Sequence, residues 1–203
     1  MTIFLHKGDL PSDVTFTGSI AIDTETMGLN ILRDRLCLVQ ISAGDGHAHL
    51  VQLAQGEYDA PNLKKLLTDN KILKIFHFAR FDLASLQHYL NIDIENVYCT
   101  KIASRLTRTY CDAHGLKALC DEMLGVELSK KQQTSDWGVE KLSDKQMDYA
   151  ASDVLYLHRL KEKFDEMLKR ENRTEIFNAC VKFLPTRAKL DLQGFINLDI
   201  FSH

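Results

Sequence analysis

Three short runs early in the chain constrain its fold most: "GSIAIDTE", "LCLVQISAG" and "HAHLVQL". Each is rich in β-branched and apolar residues, and polar or Gly-containing segments such as "GDG" separate them. Runs of this length with these boundaries predict strands, and their close succession predicts an antiparallel meander. The first run also carries an anomaly. Asp23 and Glu25 stand two residues apart, so on an extended chain they project from one face and repel. Burying such a pair is costly unless something neutralises it, so the two acids either face water or hold a cation.

Downstream, "PNLKKLLTDN" has Pro at its start and apolar residues every three to four positions, which predicts a helix. "KILKIFHF" is short and apolar enough for a central strand, and "ARFDLASLQHYL" has helical periodicity. From Thr100 the pattern turns helical: "TKIASRLTRTY", then "GLKALCDEMLG" closing on Gly125, then one long helix after "LSDKQ" running toward Arg170. Ser143 with Gln146 three residues on has the form of a capping box. A meander followed by strands alternating with helices predicts an α/β fold, a mixed sheet packed between helices.

The 203 residues contain no internal repeat, low-complexity tract or linker, and predict one domain over residues 1–203. The segment 185–203, "PTRAKLDLQGFINLDIFSH", breaks at Pro185 and Gly194 yet stays apolar through Phe195, Ile196, Leu198, Ile200 and Phe201. Exposed, those residues would form an unfavourable patch, so the tail is expected to dock on its own domain or on a neighbouring subunit.

A formal charge of −3 excludes a globally basic nucleic-acid-binding surface. A polyanionic substrate would need local basic residues or bound metal. The five cysteines are scattered and form no C-x-x-C, which argues against a disulfide framework or zinc site and fits reduced thiols in a cytoplasm. The N-terminal "MTIFLHKGDLPSD" lacks the parts of a signal peptide, and no run approaches membrane-spanning length, so no membrane partner is expected.

Three further groups matter. Asp82 in "FHFARFDLASL" follows an apolar strand and falls in the first turn or so of a helix, where a lone carboxylate often just complements the macrodipole. Tyr149 and Asp153 lie at i and i+4 and share a helix face, as many surface pairs do. His47 and His49 share one side of a strand and mimic a metal pair, but without a third such ligand near by they read as structural.

Taken in order, D-x-E on a strand, an Asp at a strand-to-helix junction and a helical Y-x-x-x-D resemble the Tyr-type DEDD exonucleases of the ribonuclease D-like 3′-5′ exonuclease family. The resemblance spans roughly Ile20 to Leu160, reinforced by "RLCLVQISAG" and by "QQTSDWGVEKLSDKQMDYAASDVLYLHRL". It implies a ribonuclease H-like fold and two divalent cations, Mg²⁺ or Mn²⁺, caged by Asp23, Glu25, Asp82 and Asp153. Asp23 would bridge both ions, Glu25 and Asp153 would complete the one that activates water, and Asp82 would help hold the other through water. Tyr149 would orient the attacking water rather than act as a strong base, since a phenol titrates near pH 10.

The same resemblance places Thr26, Met27, Gly28 and Leu29 beside the terminal nucleotide, although Met27 and Leu29 also suit a core. His77 and Phe78 have the chemistry to stack on a base. Gln133, Ser135, Asp136 and Trp137 form a loop before the last motif, in which Trp137 either meets substrate or pins the loop. Lys130, Lys131, Arg105 and Arg108 are candidates for phosphate contacts or for plain solvated surface.

The compact length, "DTETMGL" and the apolar tail resemble the nanoRNase C subfamily. That likeness implies a ring-shaped homo-octamer and short RNA substrates, including linear dinucleotides such as pGpG. Two other functions fit the same motifs: a broader-specificity RNA or DNA 3′-5′ exonuclease, and a catalytically silent nucleic-acid-binding module.

Overall fold

A computed structural model describes residues 2–129 and 131–203. The predicted meander is present as β2 (Ser19–Thr26), β3 (Leu36–Ser42) and β4 (His47–Gln52), paired antiparallel. β5 (Leu73–Phe76) adds parallel to the free edge of β2. Two strands were not expected from the sequence. β1 (Thr2–Lys7) pairs parallel with β4, and β6 (Val97–Cys99) pairs parallel with β5, giving the order β1-β4-β3-β2-β5-β6. β6 has only three residues, too few for a period to register.

The middle of this mixed sheet is covered on both faces. Every residue of β3 is buried, and its sequence is apolar from Leu36 to Val39 and at Ile41, with only Gln40 and Ser42 polar, rather than strictly alternating. Val39 and Ile41 join the larger core with Leu83 and Leu86 of α2 (Ala79–Leu90). Leu38 and Leu50 face a smaller core with Trp137, Leu142 and Ala150. Each such aliphatic side chain stabilises the fold by roughly 1.5–3 kcal/mol when fully buried.

The remaining helices are α1 (Pro61–Thr68), α3 (Thr100–Thr107), α4 (Leu116–Leu124), α5 (Asp144–Leu155), α6 (Leu157–Arg170) and α7 (Thr174–Leu192). Gly125 ends α4 at φ 66, the left-handed conformation for which glycine is suited. The capping box starts α5 as expected: the Ser143 hydroxyl accepts from the Gln146 backbone N–H, and Gln146 Oε1 accepts from the Ser143 N–H.

The long helix toward Arg170 is instead two helices, α5 and α6, parted at Tyr156. No Gly or Pro marks that break; tertiary packing imposes it, with Ala150 and Val154 buried on α5 and Leu157 and Leu160 on α6. Pro185 does not break the chain either. It lies inside α7, where a proline costs about 3 kcal/mol, a cost offset by burial of Val181, Leu184 and Ala188 along the same helix.

After Gly194 (φ 94) the tail turns back. Its carbonyls at Phe195 and Ile196 accept hydrogen bonds from Arg187 at 2.6 and 3.0 Å, and Arg80 of α2 also donates to Ile196 at 2.7 Å. The side chains are only partly covered by their own domain: the Phe201 ring lies 6.0 Å from that of Phe183, while Phe195, Ile196, Leu198, Ile200 and Phe201 stay 38–79% exposed. Among the described residues no helix is long and apolar enough to cross a membrane.

Candidate active site

Strand geometry places the first two acids. Asp23 and Glu25 lie on the same face of β2, and α5 packs across the meander so that Asp153 reaches them. Carboxylate oxygens of Asp23, Glu25 and Asp153 all lie within 4.8 Å of one another, the one group of three or more potential metal-ligating side chains among the described residues. His47 and His49 belong to no such group; His49 Nδ1 instead meets His6 Nε2 at 3.0 Å. Asp82, buried in the first turn of α2, sits just outside the trio and accepts a 2.7 Å hydrogen bond from the Thr24 hydroxyl.

Three or four carboxylates so placed cannot all remain ionised without a cation. Burial, then the neighbouring acids Asp82, Asp153 and Glu25, push Asp23 well above the usual carboxylate range. Burial and the facing Asp153 and Asp82 lift Glu25 to about 9. Asp82 and Asp153 rise to about 7, again mainly through burial, opposed by the Thr24 hydroxyl for Asp82 and by the facing Tyr149 phenol for Asp153. Burial and the adjacent negative charges likewise raise Tyr149, which stays a phenol. Hard oxygen donors clustered against mutual repulsion fit a divalent cation such as Mg²⁺ or Mn²⁺.

Supporting contacts fix the carboxylates. Gln40, directly across from Asp23 on β3, donates its amide to Asp23 Oδ2 at 3.3 Å. Gln146 of the capping box also donates to the Asp136 carbonyl at 3.0 Å, tying the loop that holds Trp137 to the start of the helix carrying Tyr149 and Asp153. The Trp137 ring is buried and lies 6.0 Å from that of Tyr149.

The acids open into a cleft of about 590 Å³. Thr26, Met27, Gly28, Leu29, His77, Phe78, Gln133, Ser135, Trp137 and Tyr149 all line it. Met27 and Leu29 are exposed rather than core, at 48% and 87%. The turn that presents them depends on close approach: a Cβ on Gly28 would strike the Asp34 carboxylate, and one on Gly138 would come within 2.5 Å of Met27 Sδ. Phe78 adopts a left-handed φ of 71, unusual for a bulky residue, and keeps its ring half exposed at the cleft wall. His77 is held by a 2.9 Å contact between Nδ1 and the Thr100 hydroxyl, and burial pushes it down to about 3.

The cations of the cleft are not those expected. Arg108 is buried, donating to the Ala113 carbonyl at 2.6 Å and pairing with Glu122, so it serves the fold rather than a phosphate. Arg105 and Lys131 do not line the cleft, and Lys130 lies outside the described residues. Lys101 and Lys117 do line it, with Lys101 Nζ 4.2 Å from the centre of the Phe78 ring. Neither had a signal in the sequence beyond being one of 25 basic residues.

Comparison with known proteins agrees with this geometry. Residues 9–169 match the family model for the DNA polymerase A type 3′-5′ exonuclease domain. Ribonuclease D of Gluconacetobacter diazotrophicus is 32% identical over 156 residues, covering 77% of this chain and 39% of that protein. The chain spans less than half the length of such curated relatives.

The structure of Brucella melitensis NrnC with bound Mg²⁺ is 56% identical with a TM-score of 0.96, each chain covered in full. The same protein bound to pGG is 57% identical with a TM-score of 0.97, covering 100% of this chain and 99% of that one. Escherichia coli RNase D, at 24% identity and a TM-score of 0.74 over 85% of this chain and 45% of that one, shares the ribonuclease H-like fold. The chain belongs to the 3′-5′ exonuclease family, on its ribonuclease D-like branch alongside NrnC, a family that depends on divalent metal.

Proposed function

We propose that the protein is a 3′-5′ exoribonuclease that hydrolyses short oligoribonucleotides, including linear dinucleotides such as pGpG, to nucleoside 5′-monophosphates. The observation that carries this reading is the convergence of Asp23, Glu25 and Asp153 within 4.8 Å on the floor of a confined cleft. The likeness to an NrnC structure bound to pGG supports the short substrate.

Asp23, Glu25 and Asp153 would hold the cations, and Asp82 would help to hold the second. When bound, two Mg²⁺ or Mn²⁺ ions supply Lewis acidity at the scissile phosphate and lower the pKa of the attacking water. Tyr149, kept as a phenol, orients that water by hydrogen bonding. Backbone groups of Thr26 and Met27 lie near the terminal sugar, Met27 or Leu29 wedges against bases, and Phe78 stacks on a base. Gln133, Ser135 and Trp137 close the far wall. Lys101 and Lys117 offset phosphate charge in a chain whose overall charge is −3.

The exposed tail at Phe195–Phe201 is the surface through which copies assemble into a ring-shaped octamer, and the protein acts in the cytoplasm. Incubation with labelled RNA and Mn²⁺ tests the activity: no product at any length rejects it. Equal turnover per end on a dinucleotide, a long RNA and a DNA duplex would leave the exonuclease but remove the preference for short RNA.

A further inference from the structure

The middle residue of the D-x-E motif has no part in the reading above, yet it links two of its carboxylates. Thr24 alternates to the face of β2 opposite Asp23 and Glu25. Its hydroxyl and the Asp82 carboxylate are both buried, joined at 2.7 Å across 58 positions of sequence. This is the one side-chain hydrogen bond to Asp82 among the described residues. Asp82 stays outside the 4.8 Å trio. One Asp82 oxygen is engaged by Thr24, and the other takes no side-chain hydrogen bond among the described residues.

We infer that Thr24 is a positioning residue for Asp82. By holding Oδ1, its hydroxyl fixes the plane of the carboxylate and leaves Oδ2 for the cation that Asp82 helps to hold. Without that bond the side chain can rotate about two torsions, and ordering it again opposes cation binding. Among the described residues the hydroxyl makes no hydrogen bond to Asp23, Glu25 or Asp153, so the trio keeps its own affinity. The two cation positions are thus separately adjustable through a residue that touches neither ion. This inference rests on the proposed cation role of Asp82.

The test is Mn²⁺ binding to the full chain, followed by calorimetry and by the electron paramagnetic resonance of free Mn²⁺, for wild type, Thr24→Val and Thr24→Ser. Valine keeps the shape and loses the hydroxyl; serine keeps the hydroxyl. In Thr24→Val the weaker class of bound Mn²⁺ should lose about 10-fold in affinity, as orienting partners of metal ligands typically do, with the tighter class unchanged. The Mn²⁺ concentration for half-maximal dinucleotide hydrolysis should rise by the same factor.

Thr24→Ser should bind within about twofold of wild type, well inside the loss typical of a removed partner. An unchanged isotherm in Thr24→Val overturns the inference, as does an equal loss in both classes with a lower melting temperature, which would mark a structural hydroxyl. If Thr24→Val does not fold, Thr24→Ala takes its place with the same two outcomes. Wild-type protein that binds Mn²⁺ but cleaves no RNA refutes the proposed activity instead, and the isotherms still decide the role of Thr24.

Discussion

Two acidic settings of the protein are solved in opposite ways. Asp191 of α7 is 4% exposed and carries its own cations: Arg80 binds it with two hydrogen bonds of 2.5 and 2.7 Å, and Arg187 adds a third at 2.8 Å. The cluster of Asp23, Glu25, Asp82 and Asp153 has no basic side chain in contact with any of its carboxylates among the described residues. A chain able to neutralise a buried carboxylate with two guanidiniums leaves this cluster, with Asp82 buried and the other three acids lining the cleft, without one. The difference identifies the first as a structural clamp for the tail and the second as a place that needs a cation from outside.

Neutralising one acid in each setting should therefore have effects of opposite sign. Asp23→Asn should lower turnover at saturating Mn²⁺ by at least about 10³-fold, equivalent to roughly 4 kcal/mol of barrier. The same change should leave the metal-free melting temperature level or higher, because an amide sits among the other three acids without having to take up a proton, as the crowded Asp23 must. A metal-free Asp23→Asn protein that melts well below wild type would break the comparison.

Tyr149→Phe probes the same site without altering charge. It should slow hydrolysis about 10²-fold, the scale of a lost orienting hydrogen bond in proton-transfer chemistry, with Mn²⁺ affinity retained. A collapse of Mn²⁺ binding would mean that the phenol supports the ligands instead of the water.

Asp191→Asn leaves Arg80 and Arg187 facing each other without their shared anion. Breaking a fully buried pair costs about 3–5 kcal/mol, and partial exposure of Arg80 reduces this to about 2 kcal/mol. Melting should fall by several degrees while Mn²⁺ affinity stays put. Loss of Mn²⁺ affinity would show that the clamp, through Arg80 on α2, reaches the helix of Asp82.

The last effect is a pH dependence of the metal-free fold. Glu25 titrates at about 9 and Asp82 and Asp153 at about 7 in the metal-free fold, against about 4 in the unfolded chain. The folded state therefore holds protons that the unfolded state has released. Stability is greatest below about pH 4 as far as these groups are concerned, and falls as pH rises from there through about 7 and on to about 9. Thermal melts across pH 5 to 9 should show that decline without metal, and saturating Mn²⁺ should flatten it at the alkaline end. A metal-free melting temperature that rises over this range would contradict the crowding of the acids.

How much of this was legible depended on the range over which each feature is specified. The meander was readable because strand length, β-branching and turn residues are local, and so was the capping box of Ser143 and Gln146. The division between α5 and α6 at Tyr156 was not, since it answers to where each helix buries its apolar face and no local breaker marks it. Pro185 misled for the converse reason: a strong local signal is overridden by burial on either side of it in α7. β1 went unassigned because its residues are half exposed and gain their strand character only from pairing with β4.

The chain alone nominated the residues proposed to carry the chemistry, because a D-x-E strand, a helix-start Asp and a Y-x-x-x-D helix, taken in order, are the patterns that resemble the exonuclease family. Only the tertiary structure decided how they are held: Thr24 on Asp82, Gln40 on Asp23, and Lys101 rather than Arg108 in the cleft. Those contacts join residues far apart in sequence, and a hydroxyl, an amide or an ammonium has no periodicity of its own that could announce its partner.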